Sequence, residues 1–344
     1  MIIRICGIFP FNISHTKSCK CAFLKCVNTT INITFILAHT YITVMGIKNH
    51  ELSDNPMANT LNNITKLLYR CFILFKWKSL VKISTILSSI GTNKEYKYNF
   101  CVAIWILVYA AIGISLGISN NKFNSSIGIP YYYYGIPREN NLLYSAVATL
   151  HTLYFFFFVQ LPIITIYLFY ILVCDHLRCI IKNFSARLSS QTNDFESLLR
   201  FYGNIKSTVT FIDDQLSLFV FFNVIFTSFT MYYTISTLLQ IDFLKFPMEN
   251  KEVLIYFLYT LTVFIALITA ASSVSEASAE VRQRTQILKL DKANVFEQLK
   301  FQSCAESEIY LTMWKLVPIR RSFALGTISA IFSYAILVDS LIKK

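Results

Sequence analysis

The sequence predicts an all-α, polytopic membrane protein with seven transmembrane helices, and two observations support this fold class. First, the 344 residues are 55% hydrophobic and only 15% charged, whereas about a quarter of the residues in a soluble domain are charged. Second, the charges cluster between apolar runs of about 20 residues, which is the length of helix that crosses a bilayer. This pattern favours a multi-pass membrane protein over one large soluble core.

Seven segments are expected to span the membrane. Five of them are strongly apolar, at residues 100–118, 142–174, 216–241, 253–274 and 322–341. Two are weaker because each contains charged residues, and these are 22–46 and 58–77. No repeat or linker divides the sequence, so we expect a single domain over residues 1–344.

The fourth of these segments, residues 142–174, is unusually long. As one helix it would measure roughly 50 Å, at a rise of about 1.5 Å per residue. It must therefore extend beyond the bilayer or bend near Pro162, because proline disrupts a helix interior.

The distribution of Lys and Arg predicts an inverted orientation, with the N-terminus in the cytoplasm and the C-terminus outside. Of the 31 Lys and Arg residues, 22 fall in the N-terminal segment and in the alternate segments 76–97, 178–206 and 282–321, and such residues concentrate in cytoplasmic loops. Two of these loops, 175–215 and 275–321, place apolar residues at helical spacing. We expect them to extend the membrane helices into a packed cytoplasmic layer.

Composition and the absence of known motifs also restrict the ligands and reactions expected of this chain. The net charge of +12 is expected to face anionic lipid headgroups rather than nucleic acid. The sequence lacks a phosphate-binding Gly-rich loop, a zinc-protease motif and a nucleophile elbow, so we expect no cofactor and no enzymatic activity. Cys19, Cys21 and Cys26 near His15 could form a zinc site, but their spacing lacks Cys-x-x-Cys. We therefore expect reduced thiols and no metal.

Small or polar residues of the last span recur on one helical face, at Gly326, Ser329, Ser333 and Ser340. Such a stripe suits a pore lining, but small-residue helix packing uses the same spacing equally well. Asp339 lies near the outer end of this span. Around an axis shared by several subunits it would form a ring of negative charge that favours cations, although simple exposure to water explains it as well.

Aromatic residues in the predicted outer half suggest where a small organic ligand binds. The candidates are Tyr144, His151, Tyr154 and Phe155 in the fourth span. Aromatic rings with a few polar groups suit such ligands. An interfacial aromatic belt would place similar residues at this depth without any ligand.

Three stretches resemble the arthropod gustatory-receptor family, which forms one superfamily of inverted seven-helix receptors with the insect odorant receptors. Gly7 to Phe11 is similar to the family's Gly-hydrophobic-Phe-Pro stretch ahead of the first helix. Glu280 to Arg284 is similar to the start of the linker before the last helix. Ser333-Tyr334, followed after five residues by Ser340-Leu341, matches the spacing of the family's terminal Thr-Tyr and Gln-Phe pairs.

This resemblance implies a taste receptor of the plasma membrane that is a ligand-gated, non-selective cation channel. The family's architecture implies a homo- or hetero-tetramer that is opened by a small-molecule tastant and lies in the lipid bilayer. It also implies that Ser333, Tyr334, Leu337 and Ser340 line the pore. Because Ser340 and Leu341 replace the family's Gln and Phe, changed permeation or a required partner subunit is plausible.

Two other classes of protein remain as alternatives. A G-protein-coupled receptor also has seven helices, but it has the opposite orientation, and the sequence lacks its Asp-Arg-Tyr and Asn-Pro-x-x-Tyr motifs. A secondary transporter is expected to have paired broken helices in repeated halves, and the predicted spans show no such pairing.

Overall fold

The computed structural model describes residues 56–89, 161–188, 195–240, 247–287 and 295–342, together with single helical positions between residues 30 and 40. The helices with described bounds are α1 Pro56–Ser89, α2 Leu161–Leu188, α3 Phe195–Gln240, α4 Pro247–Ile287, α5 Val295–Glu306 and α6 Arg321–Ile342. Two short strands, β1 Thr312–Met313 and β2 Val317–Pro318, lie between α5 and α6. The all-α prediction is confirmed.

Four described helices are long and apolar enough to cross a membrane, and they contain the segments Ile163–Leu188, Phe195–Ser236, Leu254–Ile287 and Arg321–Val338. The predicted span 322–341 matches α6 to within a residue at each end, whereas the predicted spans 216–241 and 253–274 cover only parts of the much longer helices α3 and α4. The predicted span 58–77 lies inside α1, which is not one of the four. The spans 22–46 and 100–118 lie outside the residues that the structure describes with element bounds.

The fourth predicted span, 142–174, is described only from Leu161. Pro162 lies in the first described turn of α2. Residues 142–160 lie outside the described residues, so the bend expected near Pro162 stays a prediction.

The Cα positions group into two compact units. One contains Met1–Leu52, Lys66–Trp77 and Thr92–Leu168, most of which is not described. The other contains Ser53–Thr65, Lys78–Gly91 and Phe169–Lys344. All contacts discussed below lie within this second unit, and the expectation of a single domain stays a prediction.

Two helices are much longer than a bilayer requires. α3 has 46 residues and α4 has 41, so α3 is about 70 Å long at a rise of about 1.5 Å per residue. The hydrocarbon core of a bilayer is about 30 Å thick. The predicted helical extensions are therefore confirmed, and the side of the membrane on which they lie stays a prediction.

These extensions pack against one another in what we call the extension layer, defined as residues 175–188, 195–215 and 275–287 together with α5. Its centre is aromatic: the Phe184 and Tyr202 rings stack with centroids 5.3 Å apart, and Phe301 meets Tyr202 edge-on at 6.2 Å. All three side chains are at most 1% exposed. Burial of large rings in such edge and stacked geometries is a strong source of packing energy, so the layer has a core of its own.

Hydroxyl groups inside the apolar part of α3 are satisfied by the helix itself. The hydroxyls of Thr227, Thr230 and Thr234 donate to the carbonyl four residues earlier at 2.7, 2.8 and 2.9 Å. A membrane interior offers no water to such groups, so internal hydrogen bonds are required. The threonines are thus compatible with a membrane-spanning helix.

Residues 307–320, here called the linker, connect α5 to α6 and contain the hairpin. Thr312 pairs with Pro318 and Met313 with Val317 in antiparallel register. The intervening turn has positive φ at Trp314 (49°) and Lys315 (57°), and the Leu316 N–H donates to the Met313 carbonyl at 3.1 Å. Helical structure had been expected over 275–321, but it ends at Glu306 and the hairpin follows.

Candidate functional site

Helix α6 is much less buried than the other long helices that the structure describes. Only 6% of the most apolar 18-residue stretch of α6 is buried, compared with 56% of the corresponding stretch of α3. Among its described side chains, Ala335 alone is buried, at 1% exposure. The helix therefore lies against α3 and α4 along one narrow face and leaves most of its surface uncovered.

The small-residue stripe of the sequence falls on the uncovered surface. Ser333, Leu337 and Ser340 are all exposed, and a Cβ added at Gly326 would meet nothing within 4 Å. At about 100° per residue, these positions and Ser329 share one side of the helix. Ala335 lies on the opposite side, so the stripe faces away from the chain's own bundle.

Tyr334 lies at the edge between the stripe and the bundle. Its ring is 5.6 Å from that of Tyr232 on α3, centroid to centroid, and it remains 59% exposed. The Ser340 hydroxyl donates to the Leu337 carbonyl at 2.7 Å. Because the helix backbone accepts its proton, the Ser340 oxygen can still accept hydrogen bonds from a neighbour through its two lone pairs.

Asp339 is part of helix α6, but its side chain is not described. Its position follows Ala335 by four residues, which places the two on the same side of the helix by spacing. By position it therefore does not share a face with Ser333 and Leu337. The acidic ring stays a prediction.

The other candidate sites lie largely outside the described residues. This applies to all four ligand-binding candidates, Tyr144, His151, Tyr154 and Phe155, and to the cysteines considered for zinc. Within the part of the chain that is described, the thiols of Cys71, Cys174, Cys179 and Cys304 are free. No group of three or more potential metal ligands occurs among those residues.

The structure shows a second feature beside α6 that the sequence did not predict. Asp213 of α3 accepts hydrogen bonds from the Thr312 backbone N–H at 2.7 Å and from the Thr312 hydroxyl at 2.6 Å. Asp214 forms an ion pair with Lys315, and the Trp314 N–H donates to the Ser217 carbonyl at 3.0 Å. These six residues, three from α3 and three from the hairpin, are called the hairpin clamp.

The electrostatics of the hairpin clamp reflect its partial burial. Desolvation raises the pKa of Asp213, and the hydrogen bonds from Thr312 oppose that shift only in part. The hydrogen bond to Asp214 raises the pKa of the exposed Lys315 ammonium. Asp213 is thus a carboxyl group that is held in a half-buried position by specific donors.

Further ion pairs join the linker and the start of α6 to α4. Glu308 lies 3.0 Å from Arg282 and 3.7 Å from Arg320, and Arg321 lies 2.6 Å from Glu276. All these side chains are at least one-third exposed, so each pair alone contributes little stability. Together they link the first residue of α6 to the extension layer.

Neither a protein-family model nor a curated protein sequence matches the chain. Among solved structures it is similar to the insect olfactory receptor OR5 from Machilis hrabei, with a TM-score of 0.63 and 14% identity over 98% of this chain and 95% of that one. The chain has the fold of an insect olfactory receptor. The same receptor in complex with eugenol gives a TM-score of 0.64 and 15% identity, over 99% and 96% of the two chains.

The olfactory-receptor fold agrees with the predictions made from composition and hydropathy. It agrees with the all-α membrane fold class predicted from the sequence, while membership of the receptor superfamily stays a prediction. At 14–15% identity the similarity concerns the fold and does not assign a gustatory or an olfactory type.

Proposed function

We propose that the chain is a subunit of a ligand-gated, non-selective cation channel that acts as a chemoreceptor of the gustatory type in the plasma membrane. The observation that carries this proposal is the uncovered stripe of α6. A helix surrounded by lipid is best served by large apolar side chains, whereas Gly326, Ser333 and Ser340 are small or polar and exposed. A water-filled axis shared by several subunits suits such a face.

In this proposal four subunits, identical or related, surround the axis. Ser333, Tyr334, Leu337 and Ser340 line the pathway. Asp339, which by spacing lies on the side of Ala335, contributes negative charge near the outer end of the pathway without belonging to the stripe. Leu337 is the largest aliphatic side chain of the stripe and is 55% exposed, so it would form an apolar constriction of the kind that gates by excluding water.

The proposed ligand is a small organic tastant. Support comes from the similar fold of a receptor whose structure contains eugenol, a small aromatic molecule. Tyr144, His151, Tyr154 and Phe155 are the residues proposed to bind it. Binding opens the pathway only if the ligand has higher affinity for the open arrangement of the α6 helices than for the closed one.

The orientation is tested by antibody labelling of intact cells that express the chain with an epitope at one terminus or the other. The proposal predicts that only the C-terminal epitope is labelled without permeabilisation, because Lys and Arg concentrate in the loops assigned to the cytoplasm. Labelling of the N-terminal epitope alone would favour a G-protein-coupled receptor and contradict the proposal.

The channel activity is tested by recording whole-cell currents while a panel of small organic compounds, beginning with eugenol, is applied. We expect at least one compound to evoke a current that falls when external sodium is replaced by a large organic cation. Leu337→Ala should change the current, whereas Leu325→Ala, an exposed position off the stripe, should leave it close to wild type. Currents that are insensitive to substitution at both Leu337 and Ser340 would contradict the assigned pathway.

A further inference from the structure

The linker is fixed at both of its ends by buried residues. Near its start, Ile309 and Leu311 are 4% and 1% exposed, and near its end Ile319 is 1% exposed. The Ile309 N–H donates to the buried Ser278 hydroxyl of α4, and the Ile319 N–H donates to the Leu311 carbonyl, both at 3.0 Å. The path of the chain between the extension layer and α6 is therefore defined by packing and hydrogen bonds.

Between these ends, the hairpin clamp fixes the linker to a single turn of α3. Asp213, Asp214 and Ser217 contact three different hairpin residues by three kinds of interaction: a hydrogen-bonded carboxylate, an ion pair and a backbone hydrogen bond. The carboxylate of Asp213 receives both donors of Thr312, which fixes the orientation of the hairpin as well as its distance from α3.

The backbone geometry of the turn indicates that contacts outside the hairpin stabilise its conformation. Trp314 and Lys315 both have positive φ, which non-glycine residues adopt rarely and only where their surroundings over-determine it. Here the Trp314 ring lies 4.8 Å from the Phe221 ring of α3, centroid to centroid, and Lys315 is paired with Asp214. Contacts with α3 therefore support the strained turn.

The position of α6 depends on this attachment because α6 has so little packing of its own. Beyond the linker, α6 contacts α3 and α4 through the Arg321 ion pair, buried Ala335, and the rings of Tyr334 and Phe332, the latter 5.9 Å from the Phe257 ring. A rigid attachment at one end of a sparsely packed helix determines where that helix begins and which way it faces.

We propose that the hairpin clamp is the element by which α3 positions α6, with Asp213 as its central positioning residue. In the free protein the clamp holds the linker in one conformation. In the working receptor it transmits the rearrangement of α3 that follows ligand binding to α6, and this second role rests on the proposed function.

The first test measures hydrogen exchange in residues 309–319 of the purified full chain in detergent. Asp213→Ala removes the acceptor of two hydrogen bonds, and loss of a hydrogen bond to a charged group should speed exchange of the Thr312 amide by about tenfold or more. Asp213→Asn keeps one side-chain oxygen for the Thr312 N–H and should restore much of the protection. The matched control is Glu196→Ala, which removes one exposed carboxylate from the same helix without contacting the linker.

The second test records the current evoked by the panel compound that activates the wild type most strongly, divided by surface expression. We expect about a tenfold lower maximal current for Asp213→Ala, a smaller loss for Thr312→Val, which removes only the hydroxyl contact, and wild-type current for Glu196→Ala. Recovery by Asp213→Asn separates a positioning role from general misfolding.

The outcomes distinguish the two proposals. If no compound evokes a current in the wild type but Asp213→Ala still accelerates exchange, the proposed function fails and the structural role of the clamp stands. If Asp213→Ala matches Glu196→Ala in exchange, or in current when the wild type conducts, the clamp proposal is overturned. Thr312→Val keeps the test decisive if Asp213→Ala is not expressed at the surface.

Discussion

The extension layer and helix α6 are both apolar, yet they differ in how much of that apolar surface the chain covers itself. The layer buries Phe184, Tyr202 and Phe301 almost completely, whereas α6 buries only Ala335 among its described side chains. Hydropathy separates segments that enter a membrane from segments that do not. It does not show whether an apolar helix is covered by its own chain or by lipid and other subunits. Because most of its surface is exposed in the chain, α6 belongs to the second type.

The largest change in stability is expected for a substitution in the core of the extension layer. Phe301→Ala should lower the free energy of unfolding by about 3–5 kcal/mol, because it removes a fully buried ring from a close-packed site. Unfolding of the purified protein in detergent, followed by circular dichroism, measures the change.

The matched control is Phe296→Ala on the same helix, since Phe296 is 79% exposed. Its effect on the unfolding free energy should stay within about 0.5 kcal/mol in monomeric protein. Equal effects for the two substitutions would mean that the layer has no specific core, and the comparison would fail.

A smaller effect is expected where α6 meets α3. The Tyr232 and Tyr334 rings are 5.6 Å apart, and an aromatic pair of this kind is coupled by about 0.5–1.5 kcal/mol in a double-mutant cycle. The cycle uses Tyr232→Ala, Tyr334→Ala and the double variant, with thermal unfolding as the measurement. A coupling indistinguishable from zero would show that this ring pair does not help to hold α6 against α3.

A pH dependence should report on the hairpin clamp. Burial raises the pKa of Asp213 in the folded protein above its ordinary value of 3.8. At pH values between the unfolded and the folded pKa of Asp213, the folded state therefore binds more protons than the unfolded state. Its contribution therefore makes stability fall as the pH rises through that interval. Comparing the pH dependence of thermal unfolding in wild type and Asp213→Asn isolates this contribution, because the amide does not titrate. Identical pH profiles would contradict the raised pKa.

Much of the helical architecture could be predicted from the sequence, and the reason is physical. Apolar runs of about 20 residues have few alternatives to a membrane helix, which is why the spans predicted in α3, α4 and α6 all fall within observed helices. The extension of α3 was also visible, because apolar residues recur there at helical spacing. Of the five residues that carry this pattern, Leu198, Tyr202 and Ile205 are buried, Leu199 is half-buried and Phe201 is 40% exposed.

The hairpin could not be predicted, because its turn lacks the residues that normally indicate one. Tight hairpin turns with positive φ usually contain Gly, Asn or Asp, whereas here Trp314 and Lys315 occupy those positions. The partners of the clamp are also 99 positions apart, as Asp213 and Thr312 illustrate. Spacing within a segment gives no information about a contact of that kind.

The shared face of the small residues of α6 was predicted from their spacing, and its role as a pore lining stays a prediction. The spacing of Ser333, Leu337 and Ser340 placed them on one side of α6, and that side is uncovered in the structure. Spacing alone could not separate a pore lining from helix packing, because both use small residues at intervals of three and four. The burial of Ala335 shows which side packs against the chain itself.

The most direct test of the central claim, that the uncovered face of α6 lines a cation pathway, is the accessibility of a cysteine introduced on that face. Leu337→Cys and Ala335→Cys are each expressed, and a positively charged methanethiosulfonate reagent is applied during ligand-evoked current, with the wild type as the control for native thiols. The account predicts that the reagent blocks the current of Leu337→Cys and leaves that of Ala335→Cys and the wild type unchanged. Equal responses of Leu337→Cys and Ala335→Cys would contradict it.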